Sequence, residues 1–207
     1  MLVHQIETDL YRRQGRAQTN FEQTLPAPHS DLAQQLLKDP YCFDFLTLTE
    51  EAHERHLHRG LIERLRDFLI ELGTGFAFVG SLYHLKVGEK DYYLDLLFYH
   101  LRLRAFVVAE LKVGEFEPEH AGKMSFYLSA VDDLLRHPSD GPSIGLILCK
   151  TSNRVVVEYA LRVTSQPMGV ATYEVRHGEA LPDHLKGSLP TPAQVAAELE
   201  AMEADAE

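Results

Sequence analysis

The stretch from Asp91 to Lys112, DYYLDLLFYHLRLRAFVVAELK, holds two apolar runs that each carry acid where a buried strand should carry none. Asp95 interrupts the run of Tyr92, Tyr93, Leu94, Leu96, Leu97 and Phe98, and Glu110 with Lys112 closes the run from Ala105 to Ala109. Burying an ionised carboxylate without a partner is costly, so any fold of this chain must compensate both acids. Positions two apart in a strand face the same side, which puts Glu110 and Lys112 together, and a hairpin through Leu101 to Arg104 brings Asp95 alongside. The expected result is two carboxylates and one ammonium converging at one end of a sheet.

The flanking sequence supplies the rest of such a sheet. Leu57, Leu61, Leu65, Phe68, Leu69 and Leu72 recur at three- and four-residue steps, predicting a long helix over Thr49–Leu72 that Gly73 stops. Strands are expected at Phe76–Val87, Tyr92–His100 and Arg104–Lys112, with turns at Gly88–Lys90 and Leu101–Leu103. Pro118 suits the first turn of a second helix reaching about Arg136. Ile144–Cys149 is apolar enough for a buried strand, Val155–Val163 is ambiguous between helix and strand, and Met168–Val175 suits a last strand. The core order is helix, three strands, helix, strand, an α/β arrangement with a central mixed sheet flanked by helices.

Ahead of this core, Gly15–His29 is rich in Gln, Thr, Asn and Pro and reads as an extended connector with little core of its own. Ser30 is placed to cap a short helix through Leu37 that Asp39 and Pro40 end. The expected organisation is an arm over residues 1–48, packing on the domain or on a second subunit, a main domain over 49–190, and an acidic helix and tail over 191–207, with Pro192–Met202 helical. Homodimerisation through the arm follows as one expectation.

With 207 residues, 45% of them hydrophobic, the chain suits one globular core with peripheral elements. No apolar stretch approaches the roughly 20 residues needed to cross a bilayer, and MLVHQIETDL lacks the features of a signal peptide, so a soluble cytoplasmic protein with no membrane partner is expected. Cys42 and Cys149 are far apart in apolar segments and read as reduced packing residues. The formal net charge of -11 argues against a surface that is wholly a nucleic-acid footprint. Contacts to DNA would have to be local.

Magnesium prefers oxygen ligands, keeps several waters, and is held by as few as one or two carboxylates. Asp95 and Glu110 suit it, with the Leu111 carbonyl a candidate third ligand. A bound Mg2+ or Mn2+ would lower the pKa of a water and offset charge on a scissile phosphate. Lys112, on the same side, could orient the attacking water or stabilise charge developing on the phosphorane. An isolated Glu-x-Lys is commonplace, and a structural ion-pair network at the end of a sheet is the competing reading of these three residues.

The segments QIETDLYRRQG, TNFEQTLPAPHSDLAQQLLKDPYCFDFLTL, FLIELGTGFAFVG, DYYLDLLFYH, VVAELKVGEFEPEHAGKMSFYL and PSIGLILCK, followed by VVVEYAL and PMGVATYEV, resemble the YhcG-like family of bacterial nucleases within the PD-(D/E)xK superfamily. The resemblance runs from about Val3 to Leu189. It implies a restriction-endonuclease-like core, a Mg2+- or Mn2+-dependent DNA endonuclease activity, and Asp95, Glu110 and Lys112 as the catalytic residues. It also implies a further partner, an N-terminal helical domain preceding this region. The chain departs from the family at His58, where a glutamate is usual, at Ser81 and Leu82, where an arginine and a glutamine are, and at Lys123, where a glutamine precedes Tyr127 by four. His58, Glu63, Lys123 and Tyr127 are therefore supporting candidates, with Glu54 or Glu63 as substitutes for the helix acid.

These departures keep a second class open, a catalytically degenerate nuclease-fold module for nucleic-acid binding or protein assembly. Lys123 and Tyr127 read equally as a solvated lysine and a packed ring. His53, His56 and His58 lack the His-Glu-x-x-His arrangement of a zinc site. Tyr92, Tyr93 and Tyr99 are ordinary sheet-packing residues as readily as base-stacking ones. Glu71, at a helix end before Gly73, is expected to be a surface or capping residue.

Overall fold

In the computed structural model, which describes residue 6, residues 8–47 and residues 53–176, the alternating and all-apolar runs pair into one seven-stranded sheet. In chain order the elements are α1 (Leu10–Arg13), β1 (Gln18–Thr19), α2 (Phe21–Thr24), α3 (His29–Leu36), β2 (Tyr41–Thr47), α4 (Glu54–Glu63), α5 (Leu65–Leu72), β3 (Phe76–Val87), β4 (Lys90–His100), β5 (Ala105–Glu115), α6 (Pro118–Leu134), β6 (Ile144–Thr151), α7 (Arg154–Arg162) and β7 (Met168–Arg176). The expected helix at Pro192–Met202, the acidic tail and the domain end near residue 190 fall outside the described residues, as do residues 49–52 of the first expected helix.

The sheet order is β1-β7-β6-β5-β4-β3, with β2 pairing β7 as well. Strands β3, β4 and β5 form an antiparallel meander, and β5, β6 and β7 run parallel. The sheet is mixed, as the order of elements predicts. The parallel half needs cover on both faces, and IGLILC of β6 is accordingly buried throughout. One face packs Leu57, Leu61, Phe68 and Leu72 of α4 and α5 against Leu96, Phe98, Ala109 and Leu111. The other packs Met124, Tyr127, Leu128 and Val131 of α6 and Val157 of α7 against Leu97, Val108, Ile147 and Val170. None of the described helices is long and apolar enough to cross a membrane.

Several expectations need correction. The helix predicted over Thr49–Leu72 is two helices, because Arg64 leaves helical geometry at φ −110°, ψ 33°. The break turns α5 so that Phe68 and Leu72 still reach the core. Val155–Val163 resolves as helix, capped by Asn153, whose side-chain oxygen accepts from the N–H groups of Val155 and Val156. Ser30 caps nothing: Pro28 holds the capping position of α3 and Ser30 is buried inside it.

The largest correction concerns Gly15–His29, read as a connector. Residues read as a connector contribute Phe21 and Leu25 to the main core, together with Ala33, Leu37, Tyr41 and Phe43 from the segment that follows. β1 and β2 both pair with β7, so the arm forms an edge of the sheet. Its polar composition hid this because few apolar side chains do the packing. Phe43 alone contacts the rings of Phe68 and Tyr173 at centroid distances of 5.5 and 5.4 Å.

Glu71 is likewise not a surface residue. It is buried at the end of α5, where Oε1 accepts from Arg13 Nη1 at 2.6 Å and from the Cys42 N–H at 2.9 Å. Lys38 Nζ lies 4.0 Å from its other oxygen, and burial brings that ammonium down to about 8. The Arg13 guanidinium also donates to the carbonyls of Thr8 and Pro40. One buried carboxylate thus joins α1, the start of β2 and the end of α5.

Candidate active site

The antiparallel ladder between β4 and β5 runs from the His100–Ala105 pair to the Leu96–Ala109 pair. Asp95 and Glu110 are the next residue on each strand. There the side chain of Asp95 replaces the ladder, its Oδ2 accepting the Leu111 N–H at 2.9 Å. The strands fork at this bond, and the side chains of Glu110 and Lys112 fall on one face by alternation. Leu111, between them, buries its side chain in the core and pins the strand.

Glu110 is 2% exposed, and its two oxygens differ. Oε2 accepts from Lys123 Nζ at 2.8 Å, with Lys112 Nζ 4.0 Å away, whereas Oε1 is buried without a hydrogen-bond partner among the described residues. Burial, and then the nearby charge of Asp95, push the Glu110 carboxyl above its ordinary value. Burial alone would lower the Lys123 ammonium, but its contact with Glu110 more than offsets this and holds it above the usual range.

Lys112 is supported from both ends. Its Nζ contacts the two Glu54 carboxylate oxygens at 3.2 and 3.3 Å, and its backbone carbonyl accepts from Tyr173 Oη at 3.1 Å. Glu54 opens α4, so the helix start delivers an acid to the lysine. One turn later His58 Nε2 lies 3.2 Å from the backbone carbonyl of Asp95. The imidazole therefore touches the strand and not the Asp95 carboxylate. Glu63 is exposed at the other end of α4, nine residues or about 13.5 Å along the helix from Glu54. Of the two proposed substitutes for a helix acid, Glu54 reaches the cluster.

Tyr127 is buried and donates to the Tyr93 carbonyl at 3.3 Å, while its ring centroid lies 5.1 Å from Lys123 Nζ. Burial raises its phenol. Lys123 and Tyr127 thus act as a pair one helical turn apart, and Tyr92 packs on this group, 4.7 Å from the Phe126 ring. His53 and His56 serve the N-terminus of α4, where His56 Nδ1 accepts the His53 N–H.

Two neighbours carry no signal in the sequence. Tyr173 comes from β7, and His120 from the first turn of α6; burial and the charge of Lys112 lower the His120 imidazole. Neither stands at a spacing that marks it, and only the fold brings them close.

The donor set suits a hard divalent ion. Glu110 Oε1 is an orphaned carboxylate oxygen, Asp95 sits beside it, and magnesium tolerates one or two carboxylates with waters completing its shell. Leu111 contributes its N–H to the fork, and no third acid, histidine or cysteine joins the two carboxylates as a metal cluster among the described residues. A carboxylate pair completed by water and substrate is the arrangement these residues can offer.

Comparison with known proteins places the chain among relatives. A family model described as the YhcG PDDEXK nuclease domain matches residues 34–190. Over 185 residues the chain is 35% identical to a protein of Escherichia coli (strain K12) named "Putative nuclease YhcG", covering 88% of this chain and 48% of that protein. The chain therefore spans about half the length of the curated relative it matches. Among solved structures, a repair endonuclease from Pyrococcus abyssi aligns with a TM-score of 0.40 and 11% identity, over 63% of this chain and 50% of that one. A second, EndoMS in complex with double-stranded DNA, aligns with a TM-score of 0.40 and 13% identity, over 64% and 46%.

Proposed function

The chain belongs to the YhcG PDDEXK nuclease domain family, and from that membership we propose that it is a Mg2+- or Mn2+-dependent endonuclease hydrolysing phosphodiester bonds in DNA. Asp95 and Glu110 would hold the ion, and Lys112 would serve the reacting phosphate. The observation that carries this reading is Glu110, a buried carboxylate with one unpartnered oxygen beside a second carboxylate. Such a pair is costly without a cation and is the usual sign of a site kept for chemistry.

When bound, the ion supplies Lewis-acid stabilisation of phosphate charge and a water of lowered pKa. Asp95 is held for this role by the Leu111 N–H, so its carboxylate cannot rotate freely away from Glu110. Lys112 presents an ammonium fixed at its carbonyl by Tyr173 and at its tip by Glu54. Glu54 is half-exposed while Lys112 is largely buried, and a phosphate entering the site would compete with Glu54 for the ammonium. The freed ammonium then stabilises negative charge as it develops on the phosphoryl oxygens, and it orients the attacking water.

A second reading, a nuclease fold kept for nucleic-acid binding, is favoured by Lys123 standing on Glu110. Cleavage of supercoiled, linear and single-stranded DNA with magnesium and then manganese separates the two. Metal-dependent cutting by the wild type that disappears in Lys112→Ala and Asp95→Ala supports hydrolysis at this site. No cutting, or equal cutting by the variants, favours the binding module.

A further inference from the structure

The cation that compensates Glu110 comes from α6 and not from the strand motif. Lys112 Nζ lies 4.0 Å from Glu110 Oε2 and is engaged by Glu54, whereas Lys123 Nζ meets the same oxygen at 2.8 Å. The other oxygen, Oε1, has no hydrogen-bond partner among the described residues. Glu110 is 3% exposed at its side chain and Lys123 45%, so the carboxylate is fixed and the ammonium has an open path away from it. Tyr127, one turn on, already holds the ammonium over its ring face at 5.1 Å, within cation–π range, and that contact does not depend on Glu110.

We propose that Lys123 is a resident counter-cation of the site: it stands on Oε2 of the carboxylate that a divalent ion requires, and an ion taking up the open Oε1 drives it aside by charge, so it sets the site's ion affinity. The inference rests on the reading that Asp95 and Glu110 hold the ion. Two cations on one carboxylate repel each other strongly inside a protein, and the monovalent one is on the longer tether. Without an ion, the Lys123–Glu110 pair makes the two acids tolerable. With one, that pair is lost, and its loss is subtracted from the ion's binding. A neutral residue at position 123 leaves the acids uncompensated and raises their demand for an ion.

The test is Mn2+ binding to the full chain, followed by loss of the free-ion electron paramagnetic resonance signal, for wild type, Lys123→Gln, Lys123→Met and Lys123→Arg. The glutamine and methionine variants should bind roughly ten- to hundred-fold more tightly, the equivalent of one charge-assisted hydrogen bond, and the arginine variant should resemble wild type. Adding Asp95→Asn to Lys123→Gln should remove the tight site. Two neutral variants guard against one that folds poorly, and near-ultraviolet circular dichroism reports folding directly. Neutral variants that bind no more tightly than a wild type that does bind would overturn the inference and leave the nuclease reading intact. Absence of Mn2+ binding in every protein would overturn both. Tight binding by the neutral variants together with uncut DNA would uphold the inference and reject hydrolysis.

Discussion

Replacing Arg13 by methionine should cost about 3–5 kcal/mol of stability, the range for breaking a buried ion pair by removing one partner. Arg13 is 6% exposed and Glu71 2%, and the change deletes the 2.6 Å contact between them together with the bonds to the Thr8 and Pro40 carbonyls. Glu71 keeps the Cys42 N–H, and Lys38, 4.0 Å from its other oxygen, is a more distant cation than Arg13. Domains of ordinary stability have about 5–15 kcal/mol in total, so the loss is a large fraction. In urea unfolding with a slope of about 2–3 kcal/mol/M, the midpoint should fall by roughly 1–2 M with the slope unchanged. The double variant Arg13→Met, Glu71→Met removes both charges and keeps most of the volume, and should recover most of the loss. A single variant within about 1 kcal/mol of wild type, or a double variant no better than the single, would refute the claim that breaking the Arg13–Glu71 pair is what destabilises the chain.

Three further outcomes follow from the geometry. The Glu110 carboxyl titrates above its ordinary value of 4.5 in the folded chain, so its stabilising contribution is present in full below that value and is lost as pH rises through the folded value. Wild-type stability should decline across that window relative to Glu110→Gln, and parallel urea titration curves would reject the assignment. Tyr173→Phe removes the bond to the Lys112 carbonyl; it should cost about 1 kcal/mol and slow cleavage with DNA affinity unchanged, and a loss of affinity at unchanged rate counts against it as a positioning residue. Gly169→Ala drives a methyl to 2.6 Å from Leu37 Cδ1 and 3.0 Å from Thr19 Cγ2. An overpacking cost of about 1–3 kcal/mol should appear in thermal melts, and a neutral result would mean that Leu37 yields.

In the central sheet and the helix that follows its meander, the elements were legible in the sequence. The three-strand meander, α6 and β6 lie close to their expected bounds because nothing in those stretches competes with the pattern. The break at Arg64 was not legible, since an uninterrupted helical period continues through it and only tertiary packing bends the chain there. The arm was misread because its core residues, Phe21, Leu37 and Phe43, are spaced too irregularly to show a period and are buried by contact with β7 and α5. At the candidate site, the pairing of Asp95 with Glu110 and Lys112 follows from strand alternation and one hairpin. Lys123 on Glu110 and Glu54 on Lys112 depend on how two helices lie across the sheet, which spacing along the chain does not encode. Glu71 shows the same limit: an acid near a helix end looks solvated until Arg13, 58 residues away, is placed on it.

The bond from the Leu111 N–H to Asp95 makes the end of the ladder and the start of the site one and the same event. Side chains along a strand alternate strictly, so slipping β5 by one residue against β4 would exchange the face of every residue on it. Ala109 and Leu111 would then stand where Glu110 and Lys112 now do. Small errors of strand pairing therefore cannot produce a slightly weaker site. The arrangement is all-or-none: a molecule either pairs its two strands in this frame or presents hydrocarbon where the candidate site now lies. Mutations that loosen the frame should divide a population into fully competent and inert molecules, visible as a reduced active fraction rather than as a uniformly lower turnover.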